Sequence, residues 1–354
     1  ICRCLVGSEM CIRDSYKPKY GLGITLIALV LSSVNFLPHW LNWNFTGYDQ
    51  KDDWSDITNL YSGLNQLEPG RIMWEPNSDL NKYGTPMVLM TIPMFTNHES
   101  VEGLYFDSSI TTPFHFVTVS GVAESPSNPV GGLSYINGDF DRGVRYMKEL
   151  GVDYFISYTD SITDKAIMSD ELENLFHSSP FTVFKIYSDK VQVVDAEVVN
   201  FSQPELVERI SNSIFKQEKT DSFFNLAMKE FKLDNKKRII EGIDTEESQI
   251  QNRLPSKKSE INNVRISNNE ITFETDHPNE LHIVKVSYFP NWKIENGSGP
   301  YRLSPSFMGV IPYSNEVSIT FENTSLEKSL NIISLIIFLL TAYLLVFRIK
   351  KYAE

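Results

Sequence analysis

One stretch limits what this chain can fold into more than any other: Leu330–Phe347, 18 residues without a charge, interrupted only by Asn331, Ser334 and Thr341. As a helix it reaches roughly 27 Å at about 1.5 Å per residue, close to one bilayer core. Thirteen of its residues are Leu, Ile, Val or Phe. At about −0.3 to −0.6 kcal/mol each they favour insertion by roughly 4–8 kcal/mol before the polar residues are counted. Arg348, Lys350 and Lys351 follow directly, and such basic clusters stay on the cytoplasmic side. The run predicts a transmembrane helix over 330–347 and a cytoplasmic tail over 348–354, with most of the preceding chain outside. The alternative is a helix buried in a soluble core, which neither the length nor the basic stop favours.

A chain of 354 residues has room for two or three domains. Residues 39–328 hold 25 of the 32 basic and 42 of the 45 acidic residues, net −17, against −13 for the whole chain. So acidic a body argues against a nucleic-acid partner, whose phosphates need basic surface. It suits an exoplasmic domain, and it also suits a solvated acidic surface of any kind. The three cysteines, Cys2, Cys4 and Cys11, all lie near the start, so the remainder offers no disulfide and no thiolate metal site. The opening Ile1 and the stretch VGSEMCIRDS read as adapter-derived sequence. Residues 1–15 are therefore set aside, and the natural protein is expected to be longer.

A second apolar run, Gly21–Leu37, follows Lys17 and Lys19 and contains Thr25, Ser32, Ser33 and Asn35. A signal peptide and a membrane helix both fit a basic start and a short apolar core. No small-x-small cleavage site precedes Pro38, and Trp40 and Trp43 sit where an interfacial aromatic belt would. The membrane reading gives a helix over 20–38 entering from the cytoplasm. Both helices then agree on a cell-membrane protein with residues about 40–328 exoplasmic.

The fold class expected between them is α+β: an α/β domain over 45–234, a linker over 235–258 and a small β-sandwich over 259–325. Trp54, Ile57, Leu60, Tyr61 and Leu64 have helical spacing, and Pro69-Gly70 stops them. Arg71–Trp74 reads as a strand and Pro86–Pro93 as another apolar, strand-like run. Thr96–Asn137 is irregular, and a loop that long in a compact domain is more often functional than accidental. Asp139 can cap a helix over 139–150 that Gly151 ends, and Val152–Tyr158 is a strand. Phe181–Tyr187 and Val191–Val199 flank Ser188-Asp189-Lys190 as a hairpin. Glu205–Phe215 and Asp221–Leu233 are amphipathic helices. From Ile261 onward short strands separated by Asn, Gly and Pro follow: 264–267, 270–275, 282–289, 301–303, 308–311 and 317–321.

Few residues suggest chemistry. Asp139-Phe140-Asp141 is a DxD pair, the spacing by which many nucleotide-sugar glycosyltransferases hold Mg²⁺ or Mn²⁺. The plainer reading is that Asp139 caps the helix and Asp141 favours its dipole. The six histidines make no HExxH, HxH or i,i+4 pair, which leaves zinc chemistry without support. His115, between Phe114 and Phe116, reads as a strand histidine, either structural or binding. Glu75 and Glu102 lie near Trp74 and Tyr105, as carboxylates do beside sugar-stacking aromatics, although core packing explains them as well. Arg71–Trp74 and the 99–118 loop are expected to meet on one membrane-facing side. Trp292, turned off its strand by Pro290-Asn291, and Tyr301 are expected to close the same cleft. No GxSxG, GxGxxG or P-loop is present. Asn44, Asn200, Asn296 and Asn323 begin sequons, which fit external exposure where the source glycosylates.

Several stretches resemble a known family. GRIMWEPN, GTPMVLMTIPMFT, VEGLYFDSSITTPFHF, GVRYMKELGVDYFISY and KVSYFPNWKIENGSGPYRLSPSFMGVIP are similar to the C-terminal half of large polytopic membrane proteins. These carry the label "6-pyruvoyl-tetrahydropterin synthase-related" membrane domain or YfhO-like, and they group with GT-C-type glycosyltransferases. The resemblance covers roughly residues 50–350, and SYFPNW with its GPYR continuation is its most specific part. It implies a polyprenyl-phosphate-linked sugar as donor for cell-envelope glycan synthesis. The catalytic carboxylate of such enzymes lies on an early external loop, which has no counterpart in these residues. It implies no cofactor in this chain, a divalent metal belonging only to the full-length enzyme, and no pterin chemistry. The partners expected are the lipid bilayer and a lipid-linked sugar or envelope glycan. The alternative is a non-catalytic envelope module that binds polysaccharide or organises a membrane complex.

Overall fold

The structure, a computed structural model, describes residues 18–33, 36–103, 111–194, 196–198, 228–229, 231, 238–241 and 260–353. Two short apolar helices come first, Pro18–Ser33 (α1) and Phe36–Phe45 (α2). Both are helical within the span expected over 20–38, with 34–35 outside the described residues, and Ile27, Trp40 and Trp43 on them are exposed. Trp54–Leu64 (α3) follows, turning Ile57, Leu60, Tyr61 and Leu64 inward at helical spacing.

Arg71–Trp74 (β1), Glu99–Ser100 (β2), Tyr154–Ser157 (β3), Leu172–Ser178 (β4) and Phe181–Ile186 (β5) form one sheet in the order β2-β1-β3-β5-β4. β1 runs parallel to β2 and β3, whereas β5 is antiparallel to β3 and β4. The two-residue period divides the strand side chains between two cores. Ile72, Trp74, Tyr154, Ile156 and Val183 pack on the side of α3. Met73, Phe155 and Phe184 pack on the side of Thr112–Val122 (α4) and Phe140–Glu149 (α5). Asp139 caps α5 as expected, its side chain accepting from Arg142 N at 3.2 Å. Gly121 and Gly143 let α4 and α5 approach, since a Cβ on Gly143 would lie 2.5 Å from Val122 Cγ1. Asp160–Met168 (α6), capped by Thr159, completes this first unit.

Three expectations fail here for identifiable reasons. Pro86–Pro93 is not a strand: Val88–Thr91 is a 3-10 turn and Ile92–Phe95 one helical turn, with Pro93 in the first-turn position it tolerates. Thr96–Asn137 is not wholly irregular, because α4 lies inside it. Every residue from Phe114 to Val122 is buried, so α4 has no polar face and shows no amphipathic period. The hairpin of 181–187 with 191–199 does not form. β5 stays in the first sheet, while Val191–Val193 (β6) and Ala196–Val198 (β7) enter another.

That second unit is built from Arg238–Glu241 (β8), Ile261–Ile266 (β9), Glu270–Thr275 (β10), His282–Ser287 (β11), Trp292–Glu295 (β12), Gly297–Leu303 (β13), Phe307–Pro312 (β14) and Glu316–Phe321 (β15). Four strands pair as β12-β15-β10-β9 and six as β6-β11-β14-β13-β8-β7. The two sheets share a core of Ile271, Phe273, Val284, Met308, Val310, Val317 and Ile319. Ile283, Leu303 and Ile311, from the six-stranded sheet, instead join the core of α4 and α5. A strand covered on both faces reads as a continuous apolar run, and all six residues of β14 are buried. β10 is covered on one face and alternates. β8 lies within 235–258, so that stretch contains a strand as well as linker-like sequence. Of the helices expected over 205–215 and 221–233, only residues 228, 229 and 231 are described.

Ser325–Ala353 (α7) closes the described chain, and Ser325–Leu345 is long and apolar enough to cross a membrane. Its start is a capping box. Glu327 N donates to Thr324 Oγ1 at 3.2 Å, and Thr324 N donates to Glu327 Oε2 at 2.7 Å.

Candidate functional site

The two units meet along a seam of buried and half-buried cations. Arg71 opens β1, and its Nη1 donates to Leu150 O at 2.8 Å and to Lys285 O at 2.9 Å. Its Nη2 stands 3.3 Å from Glu99 Oε2 on neighbouring β2. Lys285, in β11, is 3 % exposed and donates from Nζ to Lys148 O at 2.8 Å. Lys190 lies 2.6 Å from Asp153 and also donates to Gly151 O. Arg238 of β8 pairs with Glu149 at 2.5 Å. Burial pushes the Lys285 ammonium down to about 8, with Glu149 opposing and Arg238 reinforcing the shift. Burial likewise brings Lys190 to about 8, with Arg71 reinforcing and Asp153 opposing. Gly151 threads between these groups at φ +67°, and a Cβ there would lie 3.2 Å from Arg71 Nη1.

Beside the seam opens a cleft of about 570 Å³. The first unit contributes Arg71, Glu99, Glu102, Gly103 and His115; the second contributes Ser267, Lys285, Ser287 and Trp292. A local turn sets Glu102: its N donates to Ser100 Oγ at 3.1 Å, and Ser100 Oγ donates to Glu102 O at 2.5 Å. Val101 N donates to Ile72 O at 3.0 Å, which fixes this loop to the sheet. His115 lies in the first turns of α4, 4 % exposed, with Nε2 3.3 Å from Glu102 Oε2. The two are close without being hydrogen-bonded: neither ring nitrogen has a hydrogen-bond partner among the described residues. Trp292 is 7 % exposed and meets Phe321 edge-on at 5.2 Å. Its neighbour Asn291 donates from Nδ2 to Glu327 Oε2 at 2.7 Å. The cleft wall is therefore one residue removed from the root of α7.

Of the sequence candidates, Glu102, His115 and Trp292 come together here with Arg71. His115 does so from a helix instead of the expected strand. Trp292 does so from the first position of β12, opposite Phe321, and is not turned off its strand. Tyr301 lies on β13 opposite Gly309, packed against the core of α4 and α5 and away from the cleft wall. Glu75 is fully buried elsewhere and accepts four hydrogen bonds from Glu124, Tyr158 and Thr159. Tyr105 lies outside the described residues. Asp139 caps α5 and Asp141 is exposed beside it. Among the described residues no group of three metal-ligating side chains forms.

A larger hollow, about 800 Å³, lies over polar residues of the four-stranded sheet, including Asn263, Arg265 and Glu274. It gathers none of the predicted residues. The seam cations were not anticipated, though Lys285 inside the apolar run HIVKVSY carried a signal, since a lysine is seldom buried unless paired. Comparisons with protein-family models, with curated proteins and with solved structures find no match for this chain.

Proposed function

We propose that this chain is the exoplasmic C-terminal part of a GT-C-type membrane glycosyltransferase that uses a polyprenyl-phosphate-linked sugar for cell-envelope glycan synthesis. Its share of the work is to hold the sugar end of that lipid in the cleft between the two units. The observation that carries this reading is the position of the cleft. Trp292 on its wall adjoins Asn291, which bonds Glu327 in the first turn of α7. A head group standing out of a bilayer spanned by α7 would reach that wall first. In this reading the two-sheet unit is a small β-sandwich, α1 and α7 both enter the membrane, and residues about 40–328 lie outside. The acidic body then faces glycan and lipid, with no nucleic acid bound.

Gly103 gives the test a clean handle. It lines the cleft, and among the described residues an added Cβ would meet nothing within 4 Å. Gly103→Trp in the full protein, in lipid nanodiscs, is expected to fill the cleft and cut binding of a polyprenyl-phosphate sugar by at least about tenfold. Unchanged binding overturns the cleft reading. Binding of glycan by the wild-type protein without any sugar transfer would favour the alternative, an envelope module that only binds glycan. Orientation is read separately in intact cells. A cysteine at exposed Ser127 should react with an impermeant thiol reagent, and one at Ala353 should not.

A further inference from the structure

We propose that Glu102 and His115 form a hydroxyl-binding pair, which takes a neutral sugar ring into the cleft and leaves the phosphate of a lipid-linked sugar outside. This rests on the cleft reading above and names which part of the ligand enters.

The observation behind it is an incomplete pair. The His115 side chain is 5 % exposed, borders the cleft and has no hydrogen-bond partner on either nitrogen among the described residues. A buried polar ring left in that state calls for an explanation. Glu102 Oε2 stands at 3.3 Å, longer than the roughly 2.7–2.9 Å of a charge-assisted hydrogen bond. The two groups lie side by side without closing on each other. A carboxylate only accepts, whereas a neutral imidazole donates at one nitrogen and accepts at the other. A ligand hydroxyl both donates and accepts. One such group can donate to Glu102 and accept from His115, and adjacent hydroxyls of a sugar ring suit both residues at once.

Phosphate fits the same wall poorly. Its oxygens only accept, and they would face the carboxylates of Glu102 and Glu99. The cations on the wall are already directed into the seam: Arg71 onto Leu150 O, Lys285 O and Glu99, and Lys285 onto Lys148 O. Trp292 borders the same wall, but at 7 % exposure and packed in the core of the two sheets it adds an apolar edge to the cleft, not a charge for a phosphate.

The test uses the full chain in detergent micelles with isotope-labelled histidine rings. The probes are the methyl glycosides of glucose, mannose and N-acetylglucosamine, each compared with its 1-phosphate. At least one glycoside should shift the His115 ring signals and bind about tenfold or more tightly than its 1-phosphate. Glu102→Gln should weaken that glycoside by roughly ten- to a hundredfold, the span expected for losing a hydrogen bond to a charged group. It should also narrow the margin over the 1-phosphate. Glu102 lies on a loop with its side chain 14 % exposed, and the substitution keeps its size, so this variant is expected to keep its fold. A 1-phosphate that binds as tightly as its glycoside, or a glycoside indifferent to Glu102→Gln, overturns the pair. If Gly103→Trp still abolishes binding in that case, the cleft reading survives alone. If no probe shifts His115 at its solubility limit, both fall together.

Discussion

Glu75 and Glu102 are carboxylates of the same unit, each close in sequence to an aromatic, and their surroundings could hardly differ more. Glu75 is fully buried where β1 ends. Its Oε1 accepts from Thr159 Oγ1 at 2.7 Å and from Glu124 N at 3.3 Å, and its Oε2 from Tyr158 N at 2.9 Å and Thr159 N at 3.0 Å. Those donors stand at the end of β3, at the cap of α6 and just beyond α4. One side chain thus closes three chain ends at once. Glu102 is held by its backbone, and the group facing its carboxylate is a histidine without a hydrogen-bond partner among the described residues. The first carboxylate is completed by its own chain; the second has room for something else.

The largest expected effect tests this contrast directly. Glu75→Ala would orphan four donors in a buried site. Leaving such groups unmet should cost about 3–5 kcal/mol in urea unfolding of the full chain in detergent. Glu102→Ala should cost less than about 1 kcal/mol, because it orphans no donor in the fold. Equal costs would mean that Glu102 is as structural as Glu75.

The seam gives the next effect, and its sign can be worked out. Lys285 titrates at about 8 in the fold because burial disfavours its charge, and near 10.4 when unfolded. Between those values the unfolded chain holds a proton that the native one has released, so stability rises with pH. The gain should be on the order of 3 kcal/mol, accruing from about pH 8 and complete only above about pH 10.4. Lys190 acts in the same direction. Above pH 10 tyrosine reverses the trend: burial raises Tyr61 to about 12, so the unfolded chain ionises first. Lys285→Met should flatten the rise from pH 8 to 10 relative to wild type, measured as unfolding free energy at each pH. Parallel curves would show that the ammonium is not held in the seam as its geometry indicates. Gly151→Ala should act at the same place with a smaller effect, about 1–2 kcal/mol, since its φ of +67° strains any residue with a Cβ.

How far the sequence was legible follows from how local each signal is. Arg71–Trp74 and Glu270–Thr275 are short runs with apolar residues, bounded by turn residues, and those strands lie where the sequence puts them. α3 and the cap of α5 are likewise read within one or two turns of chain. α4 was missed because burial on every side removes the polar face that marks a helix. The hairpin was misplaced because apolar runs declare strands without declaring their partners. For the site, residue types were legible and their roles were not. Glu75 meets Tyr158 and Thr159 across more than 80 residues of chain, and Arg71 meets Lys285 O across 214. Nothing near Glu75 in sequence separates it from Glu102.

The smallest effect separates two contacts that lie two residues apart at the start of β12. Asn291 is 4 % exposed, and its amide bonds the carboxylate that caps α7. Lys293 meets Glu322 at 3.0 Å with both side chains about half exposed, 56 % and 48 %. Lys293 holds the Glu322 carboxyl below its ordinary value through that hydrogen bond, yet solvent and salt screen a pair so open. Lys293→Ala should therefore leave the melting temperature within about 1 °C of wild type. Asn291→Ala should lower it by roughly 2–4 °C, because it removes a partly buried bond between the second unit and the root of α7. Raising the salt concentration should erase what little the lysine contributes and leave the asparagine effect in place. If both substitutions prove silent, the cleft wall is not fastened to α7 through Asn291. Its position beside α7 would then need another support.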